Sequence, residues 1–309
     1  MTDRSQSRRT FATLFICVLT LLICLALLFT RFGAFIVFDV LADIGAPDRQ
    51  EMTYLDAPVI VPQTLKNPSE IPVPKHIEQI SGLFRKDDKL FLSTDQSEVF
   101  VIDETGQTRG GNVFPFTPLL IRQGRLEAIT WTGLAFGLVG EFGSMLRVSE
   151  RFERLENLHL PSQIAELEYS GLSSGPDKFF FTTDGTAKIT ALVRSTGEVR
   201  SFDLDFDAFA KPGQNPQMLR WSGIAYNNGL IYMSAQDYPI VVVADANSGR
   251  LVTVLGMEGT IPFSDVAVSD AQLYVPRDHN YFDPRPPILV FELKAVSRNI
   301  DGLDVSGSL

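Results

Sequence analysis

A short pattern occurs five times between residues 76 and 294, with 42 to 52 residues separating successive copies. Each copy opens with a short strand-like segment, then has a turn, a strongly apolar strand and a third strand. In three copies a glycine-containing turn, DETG, RSTG or ANSG, then leads into a fourth strand. The openings are ISGL at 80, LEAI at 126, YSGL at 169, WSGI at 221 and FSDV at 263. Repeats of about 40–50 residues with four strands each are typical of β-propellers. The sequence therefore predicts an all-β fold, a five-bladed propeller.

The fifth copy shows only three strands before a polar tail, AVSRNIDGLDVSGSL, which we expect to be flexible over 295–309. We predict that the missing fourth strand comes from the N-terminal side, where APVIVPQ at 57–63 is apolar and β-branched. The predicted propeller domain then spans 57–294. A six-bladed ring, with a further blade hidden in 36–75, is the alternative, although that segment lacks the marks of the repeat.

Residues 11–30 form an uncharged run of twenty residues, FATLFICVLTLLICLALLFT, long enough to cross a bilayer as a helix. Arg8 and Arg9 precede it, which places the N-terminus (1–10) in the cytoplasm. We therefore predict a signal-anchor in the bacterial inner membrane, a linker over 31–56 and a propeller in the periplasm. A cleaved signal peptide is the alternative, but its apolar core is shorter, about 7–15 residues, and ends in a small-residue site. SRRTFAT at 7–13 also resembles a twin-arginine export signal.

Charge and cysteine content narrow the classes of partner. Both cysteines, Cys17 and Cys24, lie in the predicted anchor, so the exported part has no disulfide. The whole chain has a net charge of −10, and the first forty residues hold four basic and two acidic groups, a net +2, so the exported part carries −12. Such a chain repels phosphate backbones, which makes nucleic acid an unsuitable partner and favours cations.

An acidic residue recurs where the second strand of each copy ends. It lies 14 residues after the second residue of the opening in four copies and 15 in the fourth copy. Because strand openings and second-strand ends lie on one side of an antiparallel unit, we expect these acids to share one rim. They are Asp95, Glu141, Asp184, Asp237 and Asp278. The alternative is that each is a turn residue that caps local backbone N–H groups.

The opening residues themselves are Ser81, Glu127, Ser170, Ser222 and Ser264. Glu127 is the acidic one, and we expect it nearer the channel than the rim acids. It is our candidate metal ligand, together with Glu141, because carboxylates around a narrow mouth repel unless a cation lies among them. A long loop, PRDHNYFDPRPP at 276–287, adds His279, a candidate general base. The alternative for His279 is an exposed loop residue without a catalytic role.

The openings QISGL, LEAITW, SGLSS and WSGIAYNNGLIYMS, and the segment LVGEFGSMLRVS, are similar to the repeated openings of the SdiA-regulated family of bacterial propellers. The resemblance covers about 76–294. It implies an envelope propeller with an N-terminal membrane anchor, and a bound calcium ion as the cofactor to test.

Two functions follow as expectations. The first is a membrane-anchored periplasmic module that binds a small polar or cationic ligand, a cation or an envelope protein through its acidic rim. The second is a metal-dependent hydrolase of a phosphate ester, lactone or glycoside. In that enzyme Glu127 and the rim acids hold a divalent ion that activates water, with His279 as base. A propeller fold alone does not choose between the two.

Overall fold

The computed structural model describes residues 63–113, 126–140, 145–183, 188–204, 221–235, 238–257, 263–277 and 287–293. They belong to a compact unit that runs from Ala57 to Leu309, and a separate unit, Met1–Asp56, lies outside the described residues. Among the described residues, no helix is both long and apolar enough to span a membrane. The predicted anchor, with Arg8 and Arg9, lies outside the described residues and stays a prediction.

Blades 1 to 3 are four-stranded antiparallel sheets in which successive strands pair in chain order. Blade 1 contains β3 (Ile80–Lys86), β4 (Lys89–Thr94), β5 (Glu98–Asp103) and β6 (Thr108–Val113). Blade 2 contains β7 (Leu126–Trp131), β8 (Phe136–Gly140), β9 (Met145–Val148) and β10 (Arg154–Leu158). Blade 3 contains β11 (Tyr169–Ser174), β12 (Lys178–Thr183), β13 (Lys188–Val193) and β14 (Val199–Asp203), and a short helix, α1 (Ser162–Ala165), precedes it.

Blades 4 and 5 each include a strand from the N-terminal side of the unit. Blade 4 contains β15 (Trp221–Asn227), β16 (Leu230–Ala235), β17 (Ile240–Asp245) and β18 (Leu251–Met257), with β1 (Gln63–Leu65) added parallel to β18. Blade 5 contains β19 (Ala267–Val268), β20 (Gln272–Pro276) and β21 (Ile288–Glu292), with β2 (Ser69–Ile71) antiparallel to β21. The five-bladed, all-β prediction is confirmed, and the described residues form no sixth sheet.

The strand that completes blade 5 corrects our prediction. The N-terminal side does supply the missing strand, but that strand is Ser69–Ile71 and not 57–63. Pro68 and Pro72 flank it, which suits an outermost strand because proline has no N–H to donate to a ladder. Ile71 is the buried anchor of this strand and packs into the core between blades 5 and 1.

The hydrophobic core is divided among the five blade interfaces. Each of five clusters of buried side chains joins two neighbouring blades, for example Phe91 and Phe136 between blades 1 and 2. The second strands are buried on both faces, so their sequences are mainly apolar, as in KLFLST and KFFFTT. Trp221 is fully buried in the cluster between blades 3 and 4, which makes it a core residue.

The first strands of the five blades contact one another in a closed cycle, β3 to β7 to β11 to β15 to β19 and back to β3. At the end of the ring where these strands finish, polar side chains join neighbouring blades; we call this end the opposite face. The contacts are Lys86 Nζ to Glu150 Oε1 (2.7 Å), Arg194 Nη1 to Thr132 O (3.0 Å), Lys178 Nζ to Asn247 Oδ1 (2.9 Å), Asn228 Nδ2 to Asp270 Oδ1 (3.0 Å) and Tyr274 Oη to Glu104 Oε1 (3.2 Å).

Candidate functional site

The other end of the ring is the face at which the first strands begin, and we call it the opening face. At this face the start of each first strand pairs with the end of the second strand in the same blade. The pairs are Ile80 with Thr94, Leu126 with Gly140, Tyr169 with Thr183, Trp221 with Ala235 and Phe263 with Arg277. The described strand ends that precede the five predicted rim acids therefore all belong to one face.

Of the rim acids, only Asp95 belongs to the described residues. It is partly buried, and its backbone N–H donates to the carbonyl of Gln79, the residue before β3 (3.1 Å). This bond continues the pairing of β3 with β4, and both interpretations of the Asp95 side chain, rim acid or turn cap, stay predictions. Glu141, Asp184, Asp237, Asp278 and His279 lie outside the described residues, so their shared rim and the role of His279 stay predictions.

The opening residues are equivalent in the structure, because each first strand has a β-bulge at this position. The pairing of blade 1 steps from Ile80 to Gly82 on β3 while it advances by one residue on β4, and blades 2, 3 and 4 repeat this step. The extra residues are Ser81, Glu127, Ser170 and Ser222. A bulge of this kind opens the ladder locally and re-aims a side chain.

The bulged residues have different contacts. Ser81 Oγ donates to the carbonyl of Leu126 in the next blade, whereas Ser222 Oγ donates to Ser234 Oγ (2.9 Å) in its own blade. Glu127 is partly buried at the bulge of β7. Among the residues that the structure describes, no three His, Cys, Asp or Glu side chains are grouped closely enough to hold a metal ion. The metal role of Glu127 with Glu141 stays a prediction.

The residue after the bulge is small in blades 1 to 4, because the backbones of adjacent first strands touch there. A Cβ atom on Gly82 would lie 2.9 Å from Ala128 Cα, and one on Gly171 would lie 2.9 Å from Gly223 Cα. Real Cβ atoms do not approach backbone this closely, so blades 1, 3 and 4 require glycine here and blade 2 accepts alanine. The four small residues are Gly82, Ala128, Gly171 and Gly223.

Blade 5 has Asp265 at the equivalent position. Phe263 pairs with Arg277 and Ala267 pairs with Tyr274, so β19 and its lead-in advance four residues against three on β20. This is the same one-residue bulge, with Ser264 as the opening residue and Asp265 after it. Asp265 is 3% exposed. The chain therefore buries a carboxyl group where the other blades have glycine or alanine.

The Asp265 carboxyl group lies where the first strands of blades 4, 5 and 1 meet. Its Oδ2 accepts a hydrogen bond from the backbone N–H of Leu83 on β3. On the other side, a Cβ atom on Gly223 of β15 would overlap Oδ1 and lie 2.6 Å from Cγ. Oδ1 itself has no hydrogen-bond partner among the described residues, and neither does the buried Oγ of Ser264. Both atoms are buried, and the backbone of Gly223 lies against Oδ1.

Burial raises the pKa of the Asp265 carboxyl well above its ordinary value. The backbone amides of Leu83, Val266 and Ile224 act in the opposite direction, and no charged side chain contributes to the shift. The group therefore has a strong preference for its neutral form unless a cation approaches it. Sequence reasoning did not single out Asp265, although one signal was present: the third letter of the opening is Gly, Ala, Gly and Gly in four copies and Asp in FSDV.

Comparisons with known proteins support the fold. No family model matches the chain, and no curated protein matches it. Among solved structures, the chain is similar to glutaminyl cyclase from Myxococcus xanthus, with 15% identity over 76% of this chain and 99% of that one, and a TM-score of 0.56. It also matches the Pan2 WD40 domain of Neurospora crassa (13% identity, 72% and 64% coverage, TM-score 0.43) and BamB from Moraxella catarrhalis (11%, 72% and 61%, 0.38). The similarity to the glutaminyl cyclase supports the β-propeller fold seen in the structure, while the resemblance to the SdiA-regulated family stays a prediction.

Proposed function

We propose that this protein is a membrane-anchored periplasmic binding module that takes a cationic ligand at its opening face. The observation that supports this proposal is the buried carboxyl group of Asp265 just inside that face, with one oxygen left without a partner. A buried carboxyl group is expensive to retain unless it is paired, so a position that needs only glycine or alanine elsewhere in the ring has a role in this blade beyond packing.

The charge of the chain favours the same class of ligand. The exported part carries −12, which raises the local concentration of cations and speeds the association of cationic ligands. A bilayer anchor over 11–30 would hold the module close to other membrane proteins. This raises the effective concentration at which the module and those proteins meet. Calcium ion and envelope proteins remain candidates for the predicted rim, where Asp95 and Glu127 are described acids at the opening face.

Thermal melts of the full 309-residue chain in mild detergent test the proposal. The protein is stripped with chelator and titrated with calcium, magnesium, manganese and zinc, and separately with methylammonium and spermidine. A cation that binds only the folded state, at a hundred times its dissociation constant, adds about 2.7 kcal/mol to the free energy of unfolding. For a domain of this size that is a rise in Tm of roughly 5–10 °C.

We expect a saturable shift with at least one cation, and we expect Glu127→Gln to reduce it. Glu153→Gln is the matched control, because Glu153 is exposed in the turn between β9 and β10 at the opposite face. The proposal is refuted if no cation shifts the melt. A shift with calcium or manganese alone, abolished by Glu127→Gln, would support the proposal and further identify the cation site as a metal site, which would justify a screen for the hydrolase.

The anchor is tested separately by protease treatment of intact spheroplasts. We expect the propeller to be digested from outside while residues 1–10 remain protected. Protection of the propeller until the inner membrane is lysed would refute the periplasmic location and leave the binding experiment unaffected.

A further inference from the structure

The turn between β15 and β16 at the opposite face contains Asn228 and Gly229, the only Asn–Gly dipeptide in the sequence. Asn227 pairs with Leu230 across it, and the two turn residues have φ values of 47° and 82°, as in a two-residue type I′ hairpin. Asn228 is exposed, and a Cβ atom on Gly229 would have no heavy atom within 4 Å. The turn therefore presents this dipeptide at an open part of the surface.

An asparagine before a glycine is chemically labile because its side-chain amide can react with the backbone. The glycine nitrogen attacks Cγ of the asparagine, and the missing side chain of glycine leaves that nitrogen accessible. The reaction requires a free backbone N–H and an asparagine side chain that can rotate towards it. In this turn, hydrogen bonds of the folded chain oppose both requirements.

The backbone of Gly229 is held on both sides. Its N–H donates to Tyr226 Oη (3.1 Å), and its carbonyl accepts from the N–H of Ala246 (2.8 Å). The Tyr226 ring stacks on Phe180, with the ring centroids 5.7 Å apart and the planes at 7°, so the hydroxyl group is held in position. Tyr226→Phe would therefore keep the stacking and remove only the acceptor of the Gly229 N–H.

The side chain of Asn228 is held by the neighbouring blade. Its Nδ2 donates to Asp270 Oδ1 (3.0 Å), and Asn227 Nδ2 donates to the same oxygen (3.3 Å). Asp270 lies in the turn between β19 and β20 of blade 5. These bonds join blades 4 and 5 at the opposite face, and they keep the amide group of Asn228 directed towards Asp270.

We propose that Asn228 is a site of spontaneous deamidation, that Tyr226 and Asp270 slow the reaction in the folded protein, and that its product weakens the contact between blades 4 and 5. The nitrogen of Gly229 loses its proton to solvent and forms a bond to Asn228 Cγ. The bond from Cγ to Nδ2 breaks, which releases ammonia and leaves a succinimide ring. Water opens this ring at either carbonyl and gives aspartate or isoaspartate, so one water molecule is consumed and no electron is transferred.

Either product changes the contact with Asp270. The amide donor is lost, and a second carboxylate takes its place beside the Asp270 carboxylate, which repels it. Isoaspartate also adds one methylene group to the backbone of a two-residue turn, which no longer fits the pairing of Asn227 with Leu230. The site lies at the opposite face, so the inference is independent of the ligand proposed for the opening face.

Peptide mapping by mass spectrometry of the full chain in detergent tests the proposal. Samples are incubated at pH 8, either folded or unfolded in guanidinium chloride, and the fraction of acid formed at Asn228 is followed with time. Asn247 is the matched control within each sample, because it is exposed in the turn between β17 and β18 and its Oδ1 accepts from Lys178 Nζ (2.9 Å), but a serine follows it. The variants are Tyr226→Phe and Asp270→Ala, and thermal melts compare Asn228→Asp with Asn247→Asp.

We expect Asn228 to convert in the folded wild type more slowly than in the unfolded chain, by about tenfold or more, since two hydrogen bonds oppose the reaction. Tyr226→Phe should speed the conversion in the folded chain about five- to tenfold, the factor that corresponds to one hydrogen bond, and leave the rate in the unfolded chain unchanged. Asp270→Ala should speed it by a similar factor, and Asn247 should convert at one rate in all three proteins. Asn228→Asp should lower Tm by about 2–4 °C, and Asn247→Asp should not, because its carboxylate would face Lys178.

The protective role of Tyr226 is wrong if Tyr226→Phe converts at the rate of the folded wild type or more slowly. Where Tyr226→Phe does not fold, Asp270→Ala makes the same comparison for the amide group. Asn228 that stays unconverted in the folded wild type and in both variants, after the unfolded chain has converted completely, overturns the site itself. Equal Tm values for Asn228→Asp and the wild type overturn the effect on the contact between blades 4 and 5.

Discussion

Gly223→Ala tests whether the first strands pack as closely as the structure indicates. The new Cβ atom would overlap Asp265 Oδ1, and it would lie 2.6 Å from Asp265 Cγ and 2.7 Å from Asp265 Cα. Rotation of the Asp265 side chain can relieve the first two contacts. It cannot relieve the third, because Cα belongs to the backbone of the neighbouring blade. We therefore expect the strands to be forced apart.

Overpacking a tight interior by one methyl group costs typically 1–3 kcal/mol, and a backbone contact favours the upper end, about 3 kcal/mol. At roughly 2–4 °C for each kcal/mol in a domain of this size, Tm falls by about 6–12 °C. Gly110→Ala is the matched control, since a Cβ atom on Gly110 has no heavy atom within 4 Å. Gly110 lies in β6 and is exposed, so its substitution should leave Tm unchanged or slightly raised.

The assay is a thermal melt followed by circular dichroism, supported by urea unfolding of the same proteins. Asp265→Ala provides a second test, because it removes Cγ and the carboxyl oxygens but keeps Cα. In that background Gly223→Ala should cost about 1–2 kcal/mol less than in the wild type. If Gly223→Ala and Gly110→Ala melt at the same temperature, the contact between β15 and the segment of Asp265 is wrong, and the placement of Asp265 falls with it.

Three further predictions concern the ring. The pKa of Asp265 is raised in the folded state, so the stability that its protonated carboxyl group contributes is complete below about pH 4 and is lost as pH rises through the folded pKa. Asp265→Asn should therefore gain stability relative to the wild type as pH rises. Free energies of unfolding in urea that change in parallel for the two proteins from pH 4 to 8 would contradict this. Arg194→Lys should lower the free energy of unfolding in urea by about 1–2 kcal/mol, because the half-buried guanidinium donates to the carbonyl of Thr132 in the neighbouring blade and lies over the Phe179 ring. Arg200→Lys, on the surface, is the control and should have little effect. Ile71→Ala should cost about 2–4 kcal/mol in the same assay if β2 completes blade 5, and Glu70→Ala, at an exposed position of the same strand, should cost far less.

The number and type of the blades could be predicted from the sequence because both follow from patterns among residues that are close together in the chain. Each opening is followed at nearly constant distance by a second strand that is buried on both faces, and such a strand must be mainly apolar. The equivalence of Ser81, Glu127, Ser170 and Ser222 could also be predicted, since it follows from counting residues between repeated features, and the bulges of the structure confirm it.

The strand that completes blade 5 could not be located from the sequence. Three residues between two prolines are too few to show an alternation of apolar and polar side chains, and only the pairing of Ser69–Ile71 with β21 identifies them as a strand. The longer apolar run at 57–63 gave the stronger local signal and led to the wrong segment.

Asp265 shows most clearly what the tertiary structure decides. The sequence determines that the third residue of an opening is small in four blades and acidic in the fifth. It does not determine that first strands of adjacent blades touch at this level, because contacts between Gly223, Asp265 and Leu83 join residues far apart in the chain. Burial, the raised pKa and the unpartnered oxygen all arise from that closure of the ring. A carboxyl group acquires these properties from its neighbours in space, and the sequence lists only its neighbours along the chain.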